Sequence, residues 1–305
     1  MLRVTTSMIY DQGVASIQNQ TAQLLHTQQQ VSTGRRILTP ADDPVASARA
    51  LETTQSQSVN EQFQINQGAA RDALALYENK LSAVEDLVTY VRTRAVEAGN
   101  GSYSRQELGF IAKDLRSQFD ALVALANSQD GNGEYMFAGF KGDTEPFAAS
   151  VGGAVTYSGD QGERAIQVSA SRIMPTSNSG DEVFLRIQGA SDDMFTMISD
   201  FIGALEDPAS DISSAVSNTI GNMDHALDNV LRIHASVGSR MGELDALTNI
   251  GSDLSVQYAQ TLSRLQDVDY AQAVSDLTEQ QTFLQAAQQS FLRVTQLSLF
   301  TYLGT

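Results

Sequence analysis

The sequence predicts a mainly α-helical protein with a small β-rich insertion, an α+β chain in which helices from both termini enclose the rest. Three observations support this fold class. Apolar residues recur every seven positions near each end, amphipathic stretches lie further inward, and a Gly-rich segment with alternating apolar residues occupies the middle. The terminal helices should therefore lie side by side in an elongated coiled-coil or helical-bundle rod, with the β-rich domain at its tip.

The two terminal stretches share a heptad pattern that is half polar. The residues spaced by seven are Tyr10, Ile17, Leu24 and Val31 near the start, and Tyr270, Leu277, Leu284, Phe291 and Ser298 near the end. The alternate positions are Val14, Thr21 and Gln28, and Val274, Gln281, Gln288 and Thr295. Such a seam predicts two long helices that bury little apolar surface when they pair.

Four further segments have helical apolar spacing: 60–98, 108–125, 192–205 and 211–268. Ser104 is a predicted N-cap for the second of these segments, with Glu107 three residues later completing a capping box. Between the helices, residues 128–135 predict a tight turn. Residues 155–157 and 165–169 alternate apolar and polar side chains around a Gly-containing turn, which predicts a β-hairpin between them.

The order of these elements predicts three regions. Residues 1–40 and 269–305 would form a terminal helical coiled coil, the assembly core. Residues 41–133 and 191–268 would form a helical rod domain, and residues 134–190 a β-rich outer domain.

Composition limits the possible functions. The chain of 305 residues has 7% aromatic residues and no Trp, so we expect neither a large aromatic core nor a deep ligand pocket. A net charge of −17 disfavours nucleic acid and anionic membranes as partners. The absence of Cys excludes disulfides and thiol chemistry. With no apolar signal core near the start, the expected protein is cytoplasmic or leaves without a cleaved signal peptide.

No catalytic, cofactor or metal site is predicted. His26, His225 and His234 do not have metal-ligand spacing. The Asp130–Glu134 segment resembles a calcium loop only superficially, because the Gly and Glu positions that such a loop requires are missing. The paired carboxylates are better interpreted as helix caps than as catalytic groups.

The most informative segment is VSTGRRILTPADDP, residues 31–44. Gly34 can end the first helix in a left-handed conformation. Prolines at 40 and 44 prevent a helix from crossing the segment, and Asp42 or Asp43 can cap the helix that begins at Pro44. The adjacent Arg35 and Arg36 concentrate positive charge in an acidic chain, which suggests a contact with another subunit.

Residues 32–51, STGRRILTPADDPVASARAL, resemble the N-terminal signature of the flagellin superfamily. The form with Thr-Pro-Ala-Asp-Asp-Pro is similar to hook-associated protein type 3, the FlgL family, because flagellins usually have Ala at positions 40 and 44. Residues 134–140 with the following Pro146-Phe147 are similar to a stretch of that family. The C-terminal segment 277–303 resembles the terminal helix shared across the superfamily, but lacks the ending typical of flagellin.

The resemblance implies a non-enzymatic extracellular subunit at the hook–filament junction of the bacterial flagellum, without a cofactor. Such subunits form a ring of about eleven copies. The implied partners are other copies of the chain, an adjoining hook-associated junction protein, flagellin, a cytoplasmic export chaperone and the flagellar export apparatus. Flagellin itself is the alternative. A soluble coiled-coil binding module, such as a chemoreceptor-like or adaptor protein, would not need the segment 31–44.

Assembly contacts are expected along both terminal helices and at the segment between the first two helices. The candidate residues are Ile17, Leu24, Val31, Gly34, Arg35, Arg36, Ile37, Asp42, Asp43, Leu277, Leu284 and Phe291. Ordering a residue costs about 1–2 kcal/mol of backbone entropy, and the half-polar seams recover little of it. We therefore expect residues 1–30 and 275–305 to be frayed in the free subunit and ordered by neighbouring subunits.

Overall fold

The computed structural model describes residues 6–150 and 153–303, and the side chains at positions 6, 7, 9 and 296–303 lie outside that description. The chain divides into two compact units, one of residues 1–59 and 253–305 and the other of residues 60–252. We call them the terminal unit and the central unit. The three-region division at 1–40/269–305, 41–133/191–268 and 134–190 stays a prediction.

Six helices contain most of the described residues, as the fold class predicted. They are α1 Thr6–Thr33, α2 Pro44–Ala98, α3 Arg105–Ala126, α4 Met194–Glu206, α5 Ile212–Gln266 and α6 Tyr270–Leu303. The capping box that begins α3 is confirmed: Glu107 Oε2 accepts from the Ser104 amide at 2.6 Å, and Ser104 Oγ accepts from the Glu107 amide at 3.3 Å. No helix among residues 6–150 and 153–303 combines the length and apolar character needed to cross a membrane.

Two separate antiparallel hairpins interrupt the helices. Strand β1, Phe147–Ala149, pairs with β2, Val155–Tyr157, and β3, Ala165–Ser169, pairs with β4, Arg172–Pro175. The predicted pairing of 155–157 with 165–169 is therefore wrong. Asp160 Oδ1 accepts hydrogen bonds from the amides of Phe140 and Gly162, at 2.9 and 2.8 Å. The turn between β2 and β3 is thus hydrogen-bonded to the chain at residue 140. Strand β2 pairs with β1, and β3 pairs with β4, in each case the strand nearer in sequence.

The central unit contains a cluster of seven aromatic rings, contrary to the expectation from composition. Phe147 is at its centre, with ring centroids 5.2 Å from Phe195, 5.3 Å from Phe184 and 4.9 Å from Tyr157. The remaining rings of the cluster are Tyr77, Phe119 and Phe137. The aromatic residues are few, but helices, strands and the short π-helix Asp181–Leu185 bring a third of them together.

In the terminal unit, α1 and α6 pack antiparallel. Tyr10 lies against Phe291, with ring centroids 5.2 Å apart, and the Tyr270 hydroxyl lies beside Gly34 at the opposite end of the pair. The positions spaced by seven, Ile17, Leu24, Val31, Leu277, Leu284 and Phe291, are all half-buried. The helices therefore meet along the predicted residues.

The alternate layers of this seam differ from the prediction on both helices. On α1, Gly13 and Val14 are both half-buried, and so are Gln20 and Thr21. The more buried alternate positions are Thr27 on α1, and Ala273, Gln280 and Ala287 on α6. Each lies one residue before a predicted position, so Val274 faces outward and is 49% exposed. The two helices approach closely at Gly13, where an added Cβ would lie 2.6 Å from Phe291 Cδ2.

Candidate assembly site

The segment between α1 and α2, residues 34–43, is hydrogen-bonded to the connection between α5 and α6. Gly34 has φ of 72° and ends α1, as predicted, and its amide donates to Gln30 O at 2.9 Å. The Gly34 carbonyl accepts from the Val268 amide at 3.0 Å, and the Arg36 amide donates to Gln266 O at 2.6 Å. These bonds flank an antiparallel bridge between Arg35 and Asp267. We call this segment the joint.

The two arginines of the joint have different surroundings. The Arg36 guanidinium donates to Leu265 O at 2.9 Å and to the Asp43 carboxylate at 3.3 Å. The Arg35 side chain is exposed, and among the described residues it makes no hydrogen bond or ion pair. Arg36 therefore stabilises its own chain, whereas the charge of Arg35 is available to another molecule.

The two aspartates close the joint in different ways. Asp42 Oδ2 accepts from the amides of Thr39 and Leu38 at 2.8 and 2.9 Å, and Asp42 Oδ1 lies 3.2 Å from His26 Nε2. The Thr39 amide is the largest cause that lowers the pKa of Asp42 below its ordinary 3.8, with smaller contributions from the other two partners.

Asp43 is the N-cap of α2, as predicted. Its Oδ1 accepts from the Ala46 amide at 2.9 Å, which satisfies a backbone donor in the first turn of the helix. This hydrogen bond is the largest cause that lowers the pKa of Asp43 below 3.8, and the Arg36 guanidinium acts in the same direction. Both carboxylates are therefore more acidic when the joint is closed.

Sequence reasoning missed the residues on the other side of the joint. Leu265, Gln266 and Val268 contribute backbone atoms, and Gln30 Nε2 donates to Arg36 O at 2.6 Å. Backbone partners leave no side-chain signature. The signal that could have located this connection is Asp269, whose carboxylate caps α6 by accepting from the amides of Ala271 and Gln272.

The terminal unit buries very little apolar surface. Among its described residues, the buried apolar side chains are those of three alanines, Ala46, Ala50 and Ala273. Twelve larger apolar side chains of the same unit are exposed, including Leu51 at 72% and Leu292 at 58%. Among its described residues, the terminal unit therefore exposes many large apolar side chains and buries none of that size.

Charge is divided unequally between the units. Of the 36 acidic and 19 basic residues, 27 and 13 lie in the central unit, which therefore has −14 of the total charge of −17. The terminal unit has a net charge of only −3. Copies of the terminal unit can therefore approach one another with little electrostatic repulsion.

The other candidate groups are structural in this fold. Asp130 Oδ1 accepts from the amides of Asn132 and Glu134, which makes residues 130–134 the predicted tight turn. His234 lies between Glu78 and Glu85, at 3.4 and 3.5 Å. Within residues 6–150 and 153–303, no group of three or more His, Cys, Asp or Glu side chains is arranged to hold a metal ion.

Comparison with known proteins agrees with this arrangement of helices. Residues 4–141 match the bacterial flagellin N-terminal helical region, and residues 220–303 match the bacterial flagellin C-terminal helical region. The flagellar hook-associated protein 3 of Escherichia coli is 33% identical over 98% of this chain and 99% of its own length. The chain belongs to the flagellar hook-associated protein 3 family.

Solved structures show the same fold. A flagellar hook-associated protein from Vibrio parahaemolyticus superposes with a TM-score of 0.69 at 25% identity, over 74% of this chain and all of that one. The flagellar junction protein FlgL from Legionella pneumophila has a TM-score of 0.61 at 20% identity, over 72% of this chain and all of that one. The hook-associated protein 3 family consists of structural flagellar proteins. The similarity to a member of this family extends over the full length of the chain, which supports membership of this family over flagellin.

Proposed function

We propose that this chain is a structural subunit of the hook–filament junction and that its terminal unit is the assembly core. The observation that carries the proposal is the burial pattern of that unit: among its described residues, the buried apolar side chains are alanines and twelve larger ones are exposed. Neighbouring copies would cover this surface and supply the apolar burial that α1 and α6 lack as a pair.

The partners follow from this role. The resemblance to the family implies a ring of about eleven copies of the chain, in which a heterologous interface would repeat around an axis until it closes. The ring would contact an adjoining hook-associated junction protein on the hook side and flagellin on the filament side. Loosely held terminal helices suit passage through the flagellar export apparatus without signal cleavage, with a cytoplasmic chaperone holding the chain beforehand.

Deletion of the gene tests the proposed function. Cells without the protein should have bare hooks and should release flagellin into the medium, and the wild-type gene should restore filaments. Filaments that persist in the deletion strain would contradict the proposal. Polymerisation tests the alternative, because purified flagellin builds long filaments alone, whereas a junction subunit should not.

Surface substitutions test the assembly core. Leu51→Ser and Leu292→Ser change exposed residues of the terminal unit, so we expect unchanged unfolding of the free chain and loss of filament restoration. Phe110→Ser is the matched control, since Phe110 is 58% exposed in the central unit. Equal effects of all three substitutions on filament restoration would contradict the role of the terminal unit.

A further inference from the structure

Gln20 and Gln280 occupy the alternate layers of the α1–α6 seam. On each helix the glutamine lies between two half-buried apolar positions, Ile17 and Leu24 on α1, and Leu277 and Leu284 on α6. Gln20 is ten residues from the Tyr10–Phe291 contact along α1, and Gln280 is eleven residues from it along α6. Because the helices are antiparallel, the two glutamines are at nearly the same level of the seam.

Both side chains bury an unpaired acceptor. The Oε1 atoms of Gln20 and Gln280 have almost no solvent contact, and neither has a hydrogen-bond partner among the described residues. A buried acceptor without a partner loses its hydrogen bond to water when α1 and α6 dock. Each such loss shifts the docking equilibrium of the two helices about tenfold toward the undocked state. The seam therefore contains two unfavourable groups at one level.

The unpaired acceptors matter more in the terminal unit than in the central unit, because the terminal unit has little buried apolar surface to offset them. Gln67 and Ser128 of the central unit also bury unpaired oxygens, but there a large apolar core offsets them. In the terminal unit, the buried apolar side chains are three alanines among the described residues. Because this seam buries so little apolar surface, a polar layer in it directly affects the docking equilibrium of α1 and α6. A polar layer can also fix the register of a helix pair at the expense of its stability.

We propose that Gln20 and Gln280 form a polar layer that holds the α1–α6 pair close to undocking in the free subunit. The layer keeps the terminal helices easy to separate before assembly, a use that rests on the proposed function. Leucine at both positions would continue the flanking apolar layers, remove both unpaired acceptors and lock the pair. The polar layer thus weakens the docking of α1 and α6 at one level of the seam.

Amide hydrogen exchange on the full-length monomer tests this layer. The variants are Gln20→Leu, Gln280→Leu and the double substitution, and the matched controls are Gln18→Leu and Gln281→Leu on the exposed faces of the same helices. We expect the double variant to slow exchange in α1 and α6 by about tenfold or more, and each single variant by less. The controls should leave exchange in these helices unchanged.

Exchange in the double variant that matches wild type, or is faster, overturns the polar layer, and so does equal slowing by the exposed controls. Exchange in α3 and α4 is the internal reference, because those helices lie in the central unit and should not respond. The measurement uses the free chain, whereas the proposed function is tested by gene deletion. Restoration of filaments by the wild-type gene with unchanged exchange in the double variant would refute the layer alone.

Discussion

The Nη2 atom of Arg36 donates a hydrogen bond of 2.9 Å to the main-chain oxygen of Leu265, a residue 229 positions further along the chain. Leu265 is in the last turn of α5, where backbone carbonyls have no partner within the helix and where positive charge is favourable. One side chain of the joint therefore satisfies the end of a distant helix and connects the N-terminal and C-terminal parts of the terminal unit.

Arg36→Ala and Arg35→Ala should have different effects. Loss of the Arg36 side chain removes the bonds to Leu265 and Asp43, and we expect a destabilisation of about 1 kcal/mol or less, because the ion pair is partly exposed. Exchange of the Val268 amide should accelerate. Arg35→Ala should leave the free chain unchanged and reduce filament restoration, because the Arg35 side chain has no ion-pair partner among the described residues. An equal loss of stability in both variants would contradict this division of roles.

Gly34→Ala should destabilise the joint for two separable reasons. Gly34 has φ of 72°, which costs an L-residue about 1 kcal/mol, and an added Cβ would lie 2.8 Å from the Tyr270 hydroxyl oxygen. In a Tyr270→Phe background the steric part should disappear and the conformational part should remain. Chemical denaturation of the four proteins gives the coupling between the two sites. Additive effects would refute the contact between Gly34 and Tyr270.

Gly68→Ala is the comparison for that substitution. Gly68 is inside α2, and an added Cβ would meet no atom within 4 Å. Alanine is the better helix former, so this substitution should stabilise the chain by about 0.5–1 kcal/mol.

The joint should weaken in acid. The pKa values of Asp42 and Asp43 are lowered from 3.8 in the folded chain, so both groups stabilise the joint above that value. This stabilisation is lost as the pH falls from 3.8 through the lowered pKa values, because the carboxyl groups of the unfolded chain are then protonated and folding must release those protons. An NMR titration of the amides of Leu38, Thr39 and Ala46 should show the transition below pH 3.8. Asp42→Asn should remove the response of Leu38 and Thr39 while Ala46 still titrates, and a midpoint above 3.8 would contradict the prediction.

Phe147→Ala should cost the central unit about 3–5 kcal/mol, the usual range for removing a buried aromatic side chain. Phe147 is fully buried and contacts three other rings of the cluster. Phe140→Ala is the matched control, since Phe140 is 70% exposed and should cost much less. Thermal unfolding monitored by circular dichroism measures both. A small effect at Phe147 would contradict the importance of the cluster.

Local signals in the sequence predicted the helices and their caps well. Ser104 with Glu107, Gly34 at the end of α1 and Asp43 before Pro44 each act on backbone atoms within a few residues, so their chemistry is readable from spacing alone. Of the positions spaced by seven, the six from Ile17 to Val31 and from Leu277 to Phe291 are half-buried, whereas Tyr10 and Tyr270 are exposed and Ser298 lies outside the described side chains. Among the alternate positions, Thr27, Ala273, Gln280 and Ala287 are more buried than the residues predicted one position later, because a heptad pattern does not decide between two adjacent positions.

Non-local contacts could not be predicted in the same way. The partner of β2 depends on Asp160, whose carboxylate holds the amide of Phe140 twenty residues earlier. The joint depends on backbone atoms of Leu265 and Gln266, which any residue type could supply. The aromatic fraction of the chain gave no information on whether the rings would meet in space.

Under the proposed export route, the seven-ring cluster limits when the central unit can fold. Its members are spread from Tyr77 to Phe195, so contacts of very different sequence separation must form together. A chain that leaves a narrow channel end first cannot complete this cluster until every one of these rings has emerged. Individual helices can form as they appear, but tertiary structure in the central unit has to wait, and the nascent segment remains pliable for most of its passage.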